Sequence, residues 1–219
     1  MRAGLAITLA AGLAAVVALA GLWAVLRPDR AGAFDHYLLA LTWTPTWCAA
    51  TGDGRGDPRC AAGSGAGWLL HGLWPQHVTG WPEFCDTRHP DPSRALTEAQ
   101  LDIMGSAGLA LHQWRKHGSC SGLSPQDYFD TARAAFAAFP VHRAIAPTEA
   151  ARLPLADLTD TLRTEWPQVP ADGLVVICRG QQVHEVRICL TRDLAPRACN
   201  ADVLARACSR ADVALPALR

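Results

Sequence analysis

GWLLHGLWPQ, residues 67–76, is an apolar run with glycine before it and proline near its end, and it holds one histidine, His71, followed directly by Gly72. Short apolar runs bounded by turn-forming residues read as buried strands. HYLLALTW, residues 36–43, has the same character and predicts a preceding strand. The segment between them, 44–67, is rich in Gly, Pro, Asp and Thr and reads as a loop carrying Cys48 and Cys60. Segment 77–95 reads as a second loop, with Cys85.

Helical signals follow. Thr97 with Gln100 three residues on predicts a capping box for a helix running through Met104, and Ser124, Pro125 and Asp127 predict a helix start for 125–139. A further helix is expected from Leu155 to Glu165. GLVVICRG and QQVHEVRICL then predict an antiparallel hairpin turning at Arg179 and Gly180. Strands, then helices, then strands is the segregated order of an α+β fold. The expectation is a single domain, with a central antiparallel β-sheet flanked by several helices.

At 219 residues the chain suits one domain once a leader is set aside. Residues 3–26 carry no charge, which predicts an export signal or a membrane anchor. Small-x-small sites at Ala18–Ala20 and Ala31–Ala33 offer cleavage positions, so 1–33 is set apart from a catalytic domain at 34–219. Either reading places the domain in the periplasm or outside the cell. Eight cysteines, all beyond the leader, predict disulfides in that compartment. A structural zinc site is the competing reading, but no C-x-x-C pair occurs.

Beyond residue 33 there are seventeen basic and nineteen acidic residues. Such a balance excludes a protein that clamps duplex nucleic acid through many phosphates. Any nucleic-acid chemistry must reside in a small local site.

LHQWRKHGSC, residues 111–120, supplies a candidate, and it contains Lys116, the single lysine beside nineteen arginines. On a helix with about 100° per residue, His112, Lys116, Gln113 and His117 fall in one sector, with Trp114 and Arg115 outside it. Two imidazoles and an ammonium on one face suit a phosphate. A solvated helix face is the bland reading, and a zinc site is disfavoured by the five-residue histidine spacing. HGLWPQ adds His71 and Trp74, a histidine and a rigid aromatic that would serve a phosphodiester and a stacked base.

HGLWP and HQWRKHGSC together resemble the two active-site signatures of the ribonuclease T2 family, secreted or periplasmic ribonucleases of broad base tolerance. LALTWTPTWC and WPEFC resemble further segments of that family. The resemblance implies an endoribonuclease that cuts single-stranded RNA through a 2′,3′-cyclic phosphate. It gives His117 the part of general base, His71 that of general acid, Lys116 that of the cation on the phosphorane, and His112 that of a phosphate ligand. Trp74 and Gln76 would bind substrate, and His77 is a further candidate for the base site.

No metal, cofactor or stable protein partner is implied, and a monomer is expected. The family's disulfide pattern implies Cys48–Cys60, Cys85–Cys120, Cys178–Cys208 and Cys189–Cys199. Sequence alone leaves three pairings open for the last four.

Two positions depart from the family pattern. Gln113 stands where glutamate is usual, which predicts a slower enzyme with an altered pH profile, the glutamine donating a hydrogen bond to phosphate. Gln76 stands where aspartate is frequent, leaving base preference open. A catalytically impaired RNA-binding homologue is the alternative function that Gln113 motivates. A disulfide-stapled interaction protein with no RNA role is a third.

Overall fold

The computed structural model describes residues 30–145 and 149–219. The expected leader or anchor at 3–26 lies outside them. Among the described residues no helix is long and apolar enough to cross a membrane.

Six strands form one sheet: β1 His36–Trp43, β2 Trp68–Gln76, β3 Ala151–Pro154, β4 Leu174–Arg179, β5 Gln182–Leu190 and β6 Asp212–Leu215, in the order β2-β1-β5-β6-β3 with β4 also on β5. All pairings are antiparallel except a single parallel contact of β5 with β6, at Gln182 and Ala214. Three longer helices are α1 Ala107–Lys116, α2 Pro125–Ala138 and α3 Leu155–Glu165. The architecture is a single α+β domain.

One sheet face carries the core. Leu39, Leu41 and Trp43 of β1 and Val186, Ile188 and Leu190 of β5 bury against Trp114, Tyr128, Phe129, Leu158 and Leu162 of the three helices. Strand alternation on one side and helical periodicity on the other meet in a shared apolar layer. Helix α2 starts where Ser124 Oγ accepts from the Asp127 N–H with Pro125 at the first turn. Its Tyr128 hydroxyl donates to the Leu73 carbonyl of β2 at 3.0 Å, tying helix to sheet.

The expected capping box at Thr97 is not formed. Ser93 caps instead, accepting from the Leu96 N–H, and the helical turn Arg94–Glu98 already contains Thr97, whose hydroxyl donates to the Arg94 carbonyl. The segment after β1, expected as loop, winds through short helical turns from Thr44 to Arg55. Strands β3 and β6 were not foreseen. Each has four residues, and they pair across some sixty positions of sequence.

Four disulfides close the fold: Cys48–Cys60, Cys85–Cys120, Cys178–Cys208 and Cys189–Cys199. They consume every cysteine, which removes the zinc reading.

Candidate active site

In a regular strand, residues three apart point to opposite faces. His71 and Trp74 would then never share a site. The β1–β2 register resolves this, because Leu41 pairs with Leu70 and Ala40 with Gly72, leaving His71 as the extra residue of a β-bulge. Leu70 faces the core before the bulge and Leu73 faces it afterwards, so the parity of the strand flips. Both rings consequently reach the second sheet face, 5.0 Å apart and nearly perpendicular. A side chain at residue 72 would overlap Gln113 Oε1 and Trp74 Nε1, which is why glycine follows the histidine.

A second bulge stands two strands away. Ile177 pairs with Glu185 and Cys178 with Val183, leaving His184 as the extra residue of β5. Val183 lies in the core, as do Val186, Ile188 and Leu190 beyond the bulge, and Glu185 and Arg187 are thereby turned to the face that holds His71.

Helix α1 brings the other half. Ser106 caps it by accepting from the Leu109 N–H, and Trp114 buries its indole against Tyr128. The helix ends at Lys116. His117 leaves helical geometry at φ −122°, yet its N–H still donates to the Gln113 carbonyl at 2.9 Å. Gly118 follows because a Cβ there would meet the Trp114 and Tyr128 rings. The Phe84 N–H donates to the Lys116 carbonyl, and Cys85 is bonded to Cys120 beside it. The loop after β2 is thus fastened to the end of α1.

All seven residues singled out from sequence, His71, Trp74, Gln76, His112, Gln113, Lys116 and His117, line one cavity of about 220 Å³. Arg187, Arg206 and Trp81 share its walls and were not foreseen. His77 is not among the lining residues; its Nδ1 lies 3.9 Å from Asp35. A larger cavity of about 480 Å³ opens on the other side of His71 and His112, with Thr42, Leu109 and Glu185 in its walls.

Two expectations change in detail. Gln113 is 2% exposed, and its Oε1 accepts from Trp74 Nε1 at 2.7 Å, so it holds the indole in place. Trp74, expected to stack a base, is half-buried in the cavity wall. His117 stacks on it at 5.1 Å and 28°, and the Arg187 guanidinium lies 5.1 Å from its centroid. The more exposed aromatic surface is Trp81, with Arg206 over its ring. Gln76 is buried, its Nε2 donating to the Pro75 carbonyl.

The two histidines sit in opposite electrostatic surroundings. His117 is 6% exposed, and burial, reinforced by Lys116, His71 and His112, lowers its pKa to about 3. A free imidazole titrates near 6.5, and burial overrides that value here. His71 instead has an anion behind it, Glu185 Oε1 at 2.6 Å from Nδ1. Burial pushes the Glu185 carboxyl up, but the His71 hydrogen bond and the charges of His71, Arg187 and His184 together hold it at about 2. Arg187 grips the other carboxylate oxygen at 2.6 Å. Lys116 stands at the cavity rim, its ammonium 3.4 Å from Glu83.

Among the described residues no cluster of three or more His, Cys, Asp or Glu could hold a metal ion. The chemistry open to this arrangement is proton transfer between two imidazoles, with fixed cations for an anion between them.

A ribonuclease from Aeromonas hydrophila is 39% identical over 109 residues, covering 50% of this chain and 48% of that protein. Ribonuclease I of Escherichia coli is 30% identical over 145 residues, covering 48% of this chain and 54% of that protein. The chain therefore spans about half the length of these relatives. Among solved structures, an RNase-related protein from Calystegia sepium superposes with a TM-score of 0.66 at 21% identity, over 84% of this chain and 97% of that one. Trichomaglin, described as an S-like ribonuclease, superposes with 0.65 at 22% identity, over 85% and 99%. At such identities these two establish the fold alone. Residues 34–199, which include both histidine segments, match the profile of the Ribonuclease T2 family, and the chain belongs to that family.

Proposed function

We propose that this chain is an endoribonuclease that cleaves single-stranded RNA by transesterification. The observation that carries this reading is the asymmetric pair of histidines in one cavity. His117 is buried among cations and kept neutral, which suits a base; His71 is backed by a carboxylate, which suits an acid.

In the first step His117 takes the proton of the 2′-hydroxyl, and the 2′-oxygen forms a bond to phosphorus. The P–O5′ bond breaks as His71 gives its proton to the departing oxygen. Charge on the non-bridging oxygens falls to Lys116 and His112, both in the cavity wall. The products are a 2′,3′-cyclic phosphate and a free 5′-hydroxyl. Water then opens the cyclic ester with the two imidazoles exchanging roles. DNA lacks the nucleophile, so it would bind without reacting.

Trp74 braces both imidazoles, and the indole of Trp81 with Arg206 offers an outer platform for a base. The four disulfides support an exported, periplasmic or extracellular setting.

The test is incubation of total RNA with the protein in excess EDTA, with products identified by mass spectrometry. Fragments ending in 2′,3′-cyclic phosphate, absent with His71→Ala and with His117→Ala, are expected. RNA that binds but stays intact, or cleavage that survives both substitutions, would overturn the reading.

A further inference from the structure

Glu185 is the single carboxylate of strand β5, and it is 1% exposed. A buried charge in that position is unfavourable unless every lone pair is met. Here they are met in a directed way. Oε1 lies 2.6 Å from His71 Nδ1 and accepts from the Thr42 hydroxyl at 3.3 Å, while Oε2 takes Arg187 Nε at 2.8 Å. The bulge at His184 is what turns the carboxylate to this face.

We infer that Glu185, clamped by Arg187, is a positioning residue for His71, holding its Nδ1 as the hydrogen-bond donor and leaving Nε2 as the nitrogen that delivers the proton to the departing 5′-oxygen. An ionised carboxylate can only accept, so the imidazole must present N–H to it. Once His71 has given its proton away, the neutral ring keeps hydrogen on Nδ1 and a lone pair on Nε2, ready for the reverse transfer when the cyclic ester is opened. The proton itself never passes to Glu185. Arg187 prevents the carboxylate from swinging toward His184, whose Nε2 is 4.0 Å away.

The other groups around His71 do not supply this. From the end of α1, His117, Lys116 and His112 contribute only imidazoles and an ammonium, and Gln113 is engaged with Trp74. The inference rests on the ribonuclease reading for its catalytic consequence, but not for the tautomer.

The experiment compares wild type, Glu185→Gln and His71→Ala on two substrates at saturating concentration. One is an RNA dinucleotide, whose 5′-alkoxide needs a proton to leave. The other is uridine 3′-(4-nitrophenyl phosphate), whose nitrophenolate leaves without one. Glu185→Gln should lower kcat on the dinucleotide on the order of 100-fold, within the range for impairing one acid–base group, and by less than about 3-fold on the aryl ester.

Equal losses on both substrates would mean a merely structural role, and no loss would mean no role; either overturns the inference. ¹⁵N chemical shifts of His71 give the second measurement. Wild type should show hydrogen on Nδ1 in the neutral ring, and Glu185→Gln a mixture of tautomers. A tautomer that Glu185→Gln leaves unchanged overturns the inference whatever the activity. A wild-type chain that cleaves neither substrate overturns the ribonuclease reading, and with it the catalytic half of this one.

Discussion

Replacing Gln113 by glutamate should make the enzyme faster and move its acid limb. The geometry keeps the fold out of the comparison, since either carboxylate oxygen can accept from Trp74 Nε1, which now sits 2.7 Å from the amide oxygen. What changes is the charge one turn of helix from His117. At the roughly 5 Å typical of such neighbours and an effective dielectric near 20, a unit charge stabilises an imidazolium by about 3 kcal/mol, or about two pH units. His117 begins at about 3, where it is a weak base. Raising it toward about 5, with a Brønsted coefficient of about one half, gives on the order of a 10-fold gain in kcat/KM near neutral pH. The assay is kcat/KM on a dinucleotide from pH 3 to 9 for both proteins. An unchanged rate together with an unchanged acid limb would refute the reasoning, provided thermal unfolding shows both proteins folded.

Lys116→Arg should lower kcat by roughly 10-fold or more with a smaller effect on KM, because the guanidinium fork demands more room than the ammonium at this rim; a wild-type rate would refute it. Removing Cys85–Cys120 by paired serine substitution should lower stability by about 4 kcal/mol for a closed loop with sequence separation 35, measured by denaturant unfolding, and should lower activity further than stability because Lys116 loses its tether; unfolding at the wild-type midpoint would refute it. Stability should decline in acid. His117 and His36 are lowered by burial to about 3 and about 4, so their contribution is complete above the unfolded value near 6.5 and is lost as pH falls toward 4 and 3. Glu185, held at about 2, adds a loss of the same sign below about 4.5; a Tm constant from pH 7 to 4 would contradict the histidine contributions, and one constant from pH 4.5 to 2 that of Glu185.

The legibility of this chain followed the locality of its signals. Strands β1 and β2, the β4–β5 hairpin and helices α2 and α3 each carry their cause within a dozen residues, as apolar runs, caps or periodic faces. The four-residue strands β3 and β6 carry almost none; they exist because each satisfies the other across the fold. In the site, seven lining residues could be read from two short segments. Glu185 could not, because its partner His71 lies more than a hundred positions away, and Arg187 joins the site by gripping Glu185. One signal was available: the only carboxylate inside the strand run QVHEVRICL must find a buried partner or be excluded from the sheet.

The bulges explain why motif spacing alone is an incomplete guide to this site. HGLW reads as a strand with its two functional rings on opposite faces, and only an inserted residue makes the motif workable. The same device at His184 turns Glu185 and Arg187 onto the same face. Each bulge interrupts the sheet ladder and changes the parity of one strand; His71 lines both cavities and His184 the larger one. A β5 that ran regularly through His184, with no residue bulged out, would turn Glu185 to the core face and leave His71 without its anion while both family signatures remained intact in sequence. The chemistry of this chain therefore depends on sheet register as much as on the identity of the residues that line the cavity.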